Sequence, residues 1–232
     1  MIPLHDDNPT ERPPVVTVAF IAACVIVFLY QVSLPGDPGE LFIYQYGAIP
    51  SILSGRAELP TAAMAIPPMA TLFTSMFLHG GWMHLLGNML YLWIFGNNIE
   101  DVMGHARFVA FYLLCGIVAA LSHAVTDLSS QVPMIGASGA ISGVLGAYVL
   151  LFPRAHVLVL VPGIGITQVS AGIVLGMWFA TQLVSGGLSF GAQGGGVAFF
   201  AHIGGFLAGM ALIGLFKKRS VPFGGRKRDD DL

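Results

Sequence analysis

Residues 136–146 read Gly-Ala-Ser-Gly-Ala-Ile-Ser-Gly-Val-Leu-Gly, and residues 201–209 read Ala-His-Ile-Gly-Gly-Phe-Leu-Ala-Gly. Both stretches contain glycines spaced four residues apart: Gly139 with Gly143, and Gly205 with Gly209. Small residues at this spacing allow two helix backbones to approach closely inside a membrane. The two stretches therefore predict a pair of tightly packed membrane helices, one carrying a serine and the other a histidine.

The composition of the whole chain agrees with a membrane location. Of the 232 residues, 55% are hydrophobic and 9% are charged, and the mean hydropathy is +0.78. Soluble domains carry about 25% charged residues, and proteins that bind nucleic acid need a basic face. The composition therefore excludes an ordinary soluble domain, a nucleic-acid-binding protein and a disordered chain. It predicts a polytopic membrane protein in contact with the lipid bilayer.

Long uncharged segments predict where the chain crosses the membrane, because a span needs about 20 predominantly apolar residues. The six predicted spans are 14–34, 83–99, 107–126, 138–153, 157–183 and 197–216. They predict an all-α bundle of six transmembrane helices over residues 14–216, with a long first loop at about 35–82. The remaining parts are a short N-terminal segment, 1–13, and a charged tail, 217–232, which we expect to be disordered.

The basic residues predict the orientation of this bundle. With six spans, both termini lie on one side of the membrane, and nine of the ten Lys and Arg residues lie on that side. Loops rich in Lys and Arg stay in the cytoplasm. We therefore expect both termini to be cytoplasmic.

Four polar residues on three predicted spans lie at one depth in the membrane. They are Ser138, His202, His84 and Asn88. Counted back from the charged residue that ends each span, they lie roughly 18–24 Å from the cytoplasmic boundary at about 1.5 Å per residue. Polar side chains at such depths are costly and usually functional. A serine in a Gly/Ala-rich helix is commonly only a packing residue, so the shared depth is what indicates function.

These residues suit the hydrolysis of a peptide bond. His202 can take the proton of the Ser138 hydroxyl and return it to the leaving amine, which makes a Ser-His dyad. His84 and Asn88 lie four residues apart on one helix, so their side chains point the same way. Together with the backbone amide of Ser138, they can donate hydrogen bonds to the oxyanion of the reaction.

Other membrane chemistries fit the sequence less well. The middle of every predicted span lacks Asp and Glu, which argues against an aspartic protease or a proton pump, and the HExxH motif of zinc proteases is absent. His79 and His84 could begin a zinc site, but no carboxylate or thiolate completes it. We therefore predict no metal and no other cofactor. A small-solute transporter would be favoured by internal repeats, and the two halves show none.

Two further polar residues in the predicted spans, His123 and Gln168, have no other polar residue at their depth. We expect both to form hydrogen bonds inside the bundle. Gln182 is a further polar residue of the span that contains Gln168.

At the four residues of common depth, the sequence resembles the rhomboid intramembrane serine proteases. Residues 136–139 resemble the GxSG nucleophile motif of that family, and residues 201–205 resemble its AHxxG motif, which carries the base. Residues 79–88 are similar to its second helix, with the HxxxN pair of the oxyanion hole, and Glu100–Gly104 is similar to its structural ExxxG element. The similarity covers about residues 70–216.

The resemblance implies a six-helix bundle with a water-filled cavity that opens to the outside above a short fourth helix. It implies an intramembrane serine endopeptidase with Ser138 and His202 as the catalytic dyad and Asn88 and His84 as oxyanion donors. The implied partners are single-pass transmembrane protein substrates. The implied location is that of a multi-pass protein of the bacterial inner membrane.

Two positions depart from the family pattern. Met69-Ala70 stands where many members have a Trp-Arg pair, and Ser142 stands where many have an aromatic residue that stacks on the catalytic histidine. The orientation of His202 is then weaker, or it is shared with another residue. The alternative is a catalytically inactive rhomboid-like protein that binds membrane clients. The presence of both Ser138 and His202 favours the protease.

Overall fold

The structure is a computed structural model that describes residues 1–34, 36–60, 64–189 and 198–224. Within these residues the chain is mostly helical. The helices are α1 (Val15–Ser33), α2 (Asp37–Tyr46), α3 (Pro50–Leu53), α4 (Thr71–Thr74), α5 (Trp82–Met103), α6 (His105–Ala124), α7 (Ser138–Leu151), α8 (Ala171–Ser189) and α9 (Phe199–Phe216). The strands are β1 (Ile2–Asp6), β2 (His156–Val161) and β3 (Gly165–Ser170). Half of the charged tail predicted at 217–232, residues 225–232, lies outside the described residues.

Four helices in the described part of the chain are long and apolar enough to cross a membrane: α1, α6, α8 and α9. Helix α7 is apolar but has only 14 residues. Helix α5 has 22 residues, and polar residues such as Asn88, Asn98 and Glu100 are buried along it. A helix therefore lies within or across each predicted span, while the count of six membrane crossings stays a prediction.

The expectation of an all-α fold is wrong in one region, the first part of the predicted span 157–183. Strands β2 and β3 form an antiparallel hairpin there, and the helix begins only at Ala171. Strand β1 pairs antiparallel with β2 and completes a three-stranded sheet in the order β1-β2-β3. The physical reason is that valines alternate with leucines from 157 to 161 before a Pro-Gly turn, a strand pattern that is as apolar as a span. Gln168, which we expected inside the bundle, is exposed on β3.

The sheet is attached to the helices through one buried face. Val157 and Val159 of β2 are fully buried in the hydrophobic core. Asp6, at the end of β1, is 5% exposed, and its carboxyl accepts a hydrogen bond of 2.6 Å from the hydroxyl of Tyr148 on α7. Burial raises the pKa of Asp6 from 3.8 to about 6, because the charged carboxylate loses its water. The N-terminal strand is thus joined to α7 by a buried polar contact.

The carboxylate of Glu100 joins the end of α5 to the start of α1. It is 1% exposed and accepts hydrogen bonds from the backbone amides of Val16 and Thr17 at 2.8 and 2.7 Å, and from the Thr17 hydroxyl at 2.7 Å. The first amides of a helix have no partner within the helix, and an anion near them is favoured by the helix dipole. Glu100 therefore acts as the N-terminal cap that α1 lacks in its own sequence.

Contacts beyond the helices show which of their ends lie together. The amide of Lys218, after α9, donates to the carbonyl of Val102 near the end of α5 at 2.9 Å. At the opposite end, the side chain of Gln31 near the end of α1 donates to the carbonyl of His79, just before α5, at 2.8 Å. The long helices consequently run back and forth between two ends of the bundle.

Helices α7 and α9 pack with their backbones in direct contact, as the glycine spacing predicts. A Cβ atom added at Gly205 would overlap the carbonyl oxygen of Gly139, and one added at Gly209 would overlap that of Gly143. The clash is with backbone, which cannot rotate away as a side chain can. Helix α7 is buried along nearly its whole length, so it forms the centre of the bundle.

We expect Gly209→Ala to destabilise the protein by about 1–3 kcal/mol or more, because the added methyl group forces the backbones of α7 and α9 apart. Thermal unfolding in detergent measures this. The control is Gly214→Ala on the same helix, where a Cβ would meet only the Phe223 ring, at 3.9 Å. That variant should be as stable as the wild type or more so, since Ala favours a helix over Gly. Equal melting temperatures for the two variants would contradict the close contact.

Asp6 makes the stability of the folded protein depend on pH. Its carboxyl holds a proton more tightly in the folded chain, with a pKa of about 6 against 3.8, so the free energy of unfolding falls as the pH rises through this window. Asp6→Asn keeps an oxygen that can accept from Tyr148 and carries no charge. We expect this variant to melt above the wild type at pH 7–8 and the difference to shrink below about pH 4. A difference that is constant with pH would show that Asp6 is ionised equally easily in both states.

Candidate active site

Ser138 and His202 meet where α7 and α9 begin. Ser138 is the first residue of α7, His202 lies in the first turn of α9, and Nε2 of His202 is 2.8 Å from Oγ of Ser138. His202 is 9% exposed, while Ser138 is half-buried and lines a cavity of about 40 Å³. The distance is that of a hydrogen bond, so the imidazole is within reach of the hydroxyl proton.

The start of α7 also supplies free backbone donors. Ala137 is the cap residue of this helix and has no side-chain hydrogen bond, so Ser138 opens the first turn. The amides of a first turn have no acceptor inside the helix. An anion near Ser138 would therefore face these amides and the positive end of the helix dipole.

His84 and Asn88 on α5 face the backbone just before Ser138. A Cβ added at Gly136 would lie 2.7 Å from Nε2 of His84 and 3.7 Å from Nδ2 of Asn88. Gly136 also has a φ of +124°, which L side chains rarely adopt. Conformation and space thus both require glycine at 136, and its missing side chain leaves room between α5 and the serine.

Asn88 carries a buried donor with no acceptor. The residue is 8% exposed, and no described residue accepts a hydrogen bond from its Nδ2. An unpaired buried polar group costs about 1–3 kcal/mol. Such a donor is suited to an acceptor that arrives with a ligand.

The tautomer of His84 follows from its other nitrogen. The backbone amide of Gly80 donates to Nδ1 of His84 at 3.3 Å, so Nδ1 acts as the acceptor. In a neutral imidazole the proton is then on Nε2, the atom that faces Gly136. The side chains of His84 and Asn88 therefore present one N–H donor each to the same side of the site.

Helix α8 makes two contacts with His202 that the sequence reasoning missed. Oε1 of Gln182 is 2.8 Å from Nδ1 of His202, and the ring centroid of Trp178 is 5.8 Å from that of His202 at an angle of 38°. Ser142 instead donates a hydrogen bond of 2.6 Å to the carbonyl of Ser138. The one available sequence signal was the four-residue spacing of Trp178 and Gln182, which puts both on one face of a helix.

His79 lies beside His84 without forming a larger ligand cluster. Their ring centroids are 5.2 Å apart, and His79 is fully buried. Across residues 1–34, 36–60, 64–189 and 198–224, no group of three or more His, Cys, Asp and Glu side chains could hold a metal ion.

Similarity to known proteins extends over most of the chain. Residues 68–219 match the Rhomboid domain family. The chain is 32% identical over 213 residues to the rhomboid protease GluP of Bacillus subtilis. This match covers 89% of the chain and 37% of GluP. It is 31% identical over 156 residues to the mitochondrial rhomboid protein 1 of Saccharomyces cerevisiae, covering 63% of this chain and 41% of the relative.

A third relative extends the comparison to a shorter stretch. The chain is 38% identical over 80 residues to the putative rhomboid protease YdcA of Bacillus subtilis, covering 34% of this chain and 40% of that protein. The matched stretches thus cover about two fifths of the length of each of these three relatives. Four membrane-length helices in the described residues, together with these relatives, indicate a multi-pass membrane protein. With about two thirds of its length matching the domain, the chain belongs to the rhomboid family.

Proposed function

We propose that this chain is an intramembrane serine endopeptidase that cleaves transmembrane-helix substrates. The observation that carries the proposal is the 2.8 Å contact between Nε2 of His202 and Oγ of Ser138, inside a rhomboid domain. Serine is a poor nucleophile until a base takes its proton, and a neutral imidazole at this distance is a suitable base. Two relatives, GluP and YdcA, carry the word protease in their names, which supports the same activity here.

The reaction would proceed in two halves. In the first, Oγ of Ser138 bonds to the carbonyl carbon of the substrate while His202 takes the hydroxyl proton and passes it to the leaving amine, so that the C–N bond breaks. In the second, a water molecule gives a proton to His202 and attacks the resulting ester. His202 then returns that proton to Oγ, which releases the new carboxyl group and restores the serine.

The oxyanion formed in each half needs fixed donors, usually the largest single contribution to catalysis. Nδ2 of Asn88 is buried and unpaired within the described chain, and Nε2 of His84 carries a proton because Nδ1 accepts from the Gly80 amide. With the amide of Ser138, these groups give the oxyanion three neutral donors. No carboxylate is needed for this part of the mechanism.

In the membrane, we propose six crossings with both termini in the cytoplasm. Helix α1 starts beside Glu100 and α9 ends beside Val102, which supports a common side for the two termini. Nine of the ten basic residues would lie on that side. The proposed location is the bacterial inner membrane. The layout keeps residues 1–13 and the tail 217–232 outside a membrane domain of 14–216, with its first loop at about 35–82.

The proposed substrates are single-pass membrane proteins with small, helix-weakening residues near the cleaved bond. In a helix every peptide carbonyl is hydrogen-bonded, so the chain must unwind before Ser138 can attack. Glycine lowers the cost of that unwinding by about 1 kcal/mol relative to alanine.

The dyad is tested by reconstituting the protein with a model single-pass substrate. Wild type should cleave it, while Ser138→Ala and His202→Ala should fall to background, since loss of such groups costs up to about 10⁶-fold. Ser142→Ala is the matched control on α7, and it should keep the activity. A fluorophosphonate probe should label wild type and spare Ser138→Ala.

The result also separates the protease from its alternative. If wild type and both dyad variants bind the substrate equally and none of them cleaves it, the protein is a catalytically inactive client-binding protein. Equal cleavage by all three would show that another residue is the nucleophile.

For the oxyanion hole, we expect Asn88→Ala to lower kcat by about 10²–10³-fold and to leave substrate binding nearly unchanged, because the lost hydrogen bond forms only as charge develops. Steady-state cleavage of the same substrate gives kcat and KM separately. A rise in KM at constant kcat would instead assign Asn88 to substrate binding.

A further inference from the structure

We propose that Gln182 is the positioning residue of His202, and that helix α8 is therefore part of the catalytic arrangement. The inference rests on the proposed serine-protease function. It answers the question that Ser142 raises, because the position four residues after the nucleophile has no ring to stack on His202. The carrying observation is the chain of contacts from Gln182 through His202 to Ser138, at 2.8 Å for each of its two links.

The first task of Gln182 is to select the tautomer of His202. An amide oxygen can only accept a hydrogen bond, so Nδ1 of His202 must carry the proton when it pairs with Oε1. Nε2 is then left with its lone pair, which the hydroxyl of Ser138 needs as an acceptor. The opposite tautomer would place a hydrogen on Nε2, and that nitrogen could not take the serine proton. Loss of the correct tautomer is severely damaging in soluble serine proteases.

The amide of Gln182 is itself held in the required orientation. Its Nε2 donates to the carbonyl of Trp178 at 3.4 Å and to the hydroxyl of Thr181 at 3.3 Å, both on the same helix. With the amide turned over, its oxygen would face the Trp178 carbonyl, a repulsive contact between two acceptors. The Thr181 hydroxyl could not relieve it, because it already donates to the Trp178 carbonyl at 2.6 Å. The environment of Gln182 on α8 therefore favours the orientation that aims Oε1 at His202.

Trp178 supports the ring of the same histidine from one turn earlier on α8. Its ring lies 5.8 Å from that of His202, and it also contacts Phe206, one turn later on α9, at 6.1 Å. Gln182 thus fixes the rotation and tautomer of the imidazole, and Trp178 limits the movement of its plane. Helix α7 supplies the serine but no ring against the base.

The second half of α8 has few buried residues that attach it to the rest of the bundle. The buried residues of α8 are Ala171, Val174, Leu175 and Gly186, so only one of the four lies beyond residue 175. The second half of α8 exposes most of its apolar side chains, for example Val184 at 63% and Leu188 at 83%. The pair Gln182–His202 is therefore a polar attachment of a lightly buried segment. Any displacement of that segment would release Nδ1 of His202 and with it the base.

The test compares Gln182→Ala, Gln182→Met and Gln182→Glu with wild type and with Val184→Ala, a control that changes an exposed residue on the same helix. The rate of labelling by a fluorophosphonate is measured from pH 5 to 9, beside kcat and KM for a model single-pass substrate. Gln182→Ala and Gln182→Met should lower the labelling rate and kcat by about 10–10²-fold, the size of effect expected from a misplaced catalytic group. KM should change little, because the amide of Gln182 is already paired with His202, Trp178 and Thr181.

The pH–rate profile of Gln182→Glu distinguishes a positioning role from a purely structural one, because a purely structural role would leave the profile unshifted. A carboxylate can accept from Nδ1, so the tautomer is kept and labelling should recover at alkaline pH. It also stabilises the protonated imidazole, which is not a base, so the acidic limb of the pH–rate profile should move to higher pH. Equal rates in wild type and Gln182→Ala, or an unshifted profile in Gln182→Glu, would overturn the role of Gln182.

The same experiment distinguishes this inference from the function on which it rests. A wild type that the probe labels, with Ser138→Ala unlabelled, establishes the nucleophile independently of Gln182. Wild type that fails to react, or that reacts as Ser138→Ala does, would overturn the proposed function and the positioning role together. Wild-type labelling with unimpaired Gln182 variants would overturn the positioning role alone.

Discussion

The backbone contact between α7 and α9 is the constraint on which the candidate site depends. A serine side chain is short, so an imidazole can reach its hydroxyl only if the two helices lie unusually close. Glycines at 146, 205 and 209 allow that approach, because a Cβ at 205 or 209 would overlap a carbonyl of α7, and one at 146 would overlap the carbonyl of Phe206 on α9. The 2.8 Å distance between His202 and Ser138 is thus a consequence of packing that these three missing side chains permit. The same packing buries α7 and makes it the central helix of the bundle.

Charged contacts and close packing at glycines stabilise different parts of the bundle. Burying a charged group in the apolar interior is costly, and the charged contacts in the described residues accordingly lie at the helix ends or in the loops and strands that connect them. Glu100 caps α1, and the ammonium of Lys218 donates to the carbonyl of Asp101 at 2.6 Å. Along the helices, close packing of small residues takes the place of polar contacts. The neutral character of the site follows from the same rule, since its base, nucleophile and donors are all uncharged at rest.

The predictable part of this molecule is the part that depends on spacing along one helix. Glycines four apart indicate a close contact, and the distance of a residue from the nearest charge indicates its depth, so Ser138, His202, His84 and Asn88 could be grouped from sequence. Strands β2 and β3 could not be separated from a span, because hydropathy does not distinguish an alternating Val-Leu run from a helix. Gln182 was also beyond reach, since the face that α8 turns toward α9 depends on packing between helices. The orientation of that face determines whether the Gln182 side chain contacts His202 or the lipid.

The length of α7 connects the fold to the proposed chemistry. Its 14 residues rise about 21 Å as a helix, whereas the hydrocarbon core of a bilayer is about 30 Å thick. A helix this short cannot reach both surfaces, and in the proposed membrane layout its first residue, Ser138, lies below the outer one. Hydrolysis needs water at that depth. On a helix that spanned the whole bilayer, the turns before a nucleophile at the same depth would block the access of water to it. Beginning the helix at the nucleophile instead leaves the space above Ser138 to loop residues and to the cavity it lines, while the free amides of the first turn point toward that space. The short helix therefore meets two requirements of the proposed reaction together, access for water and donors for the oxyanion.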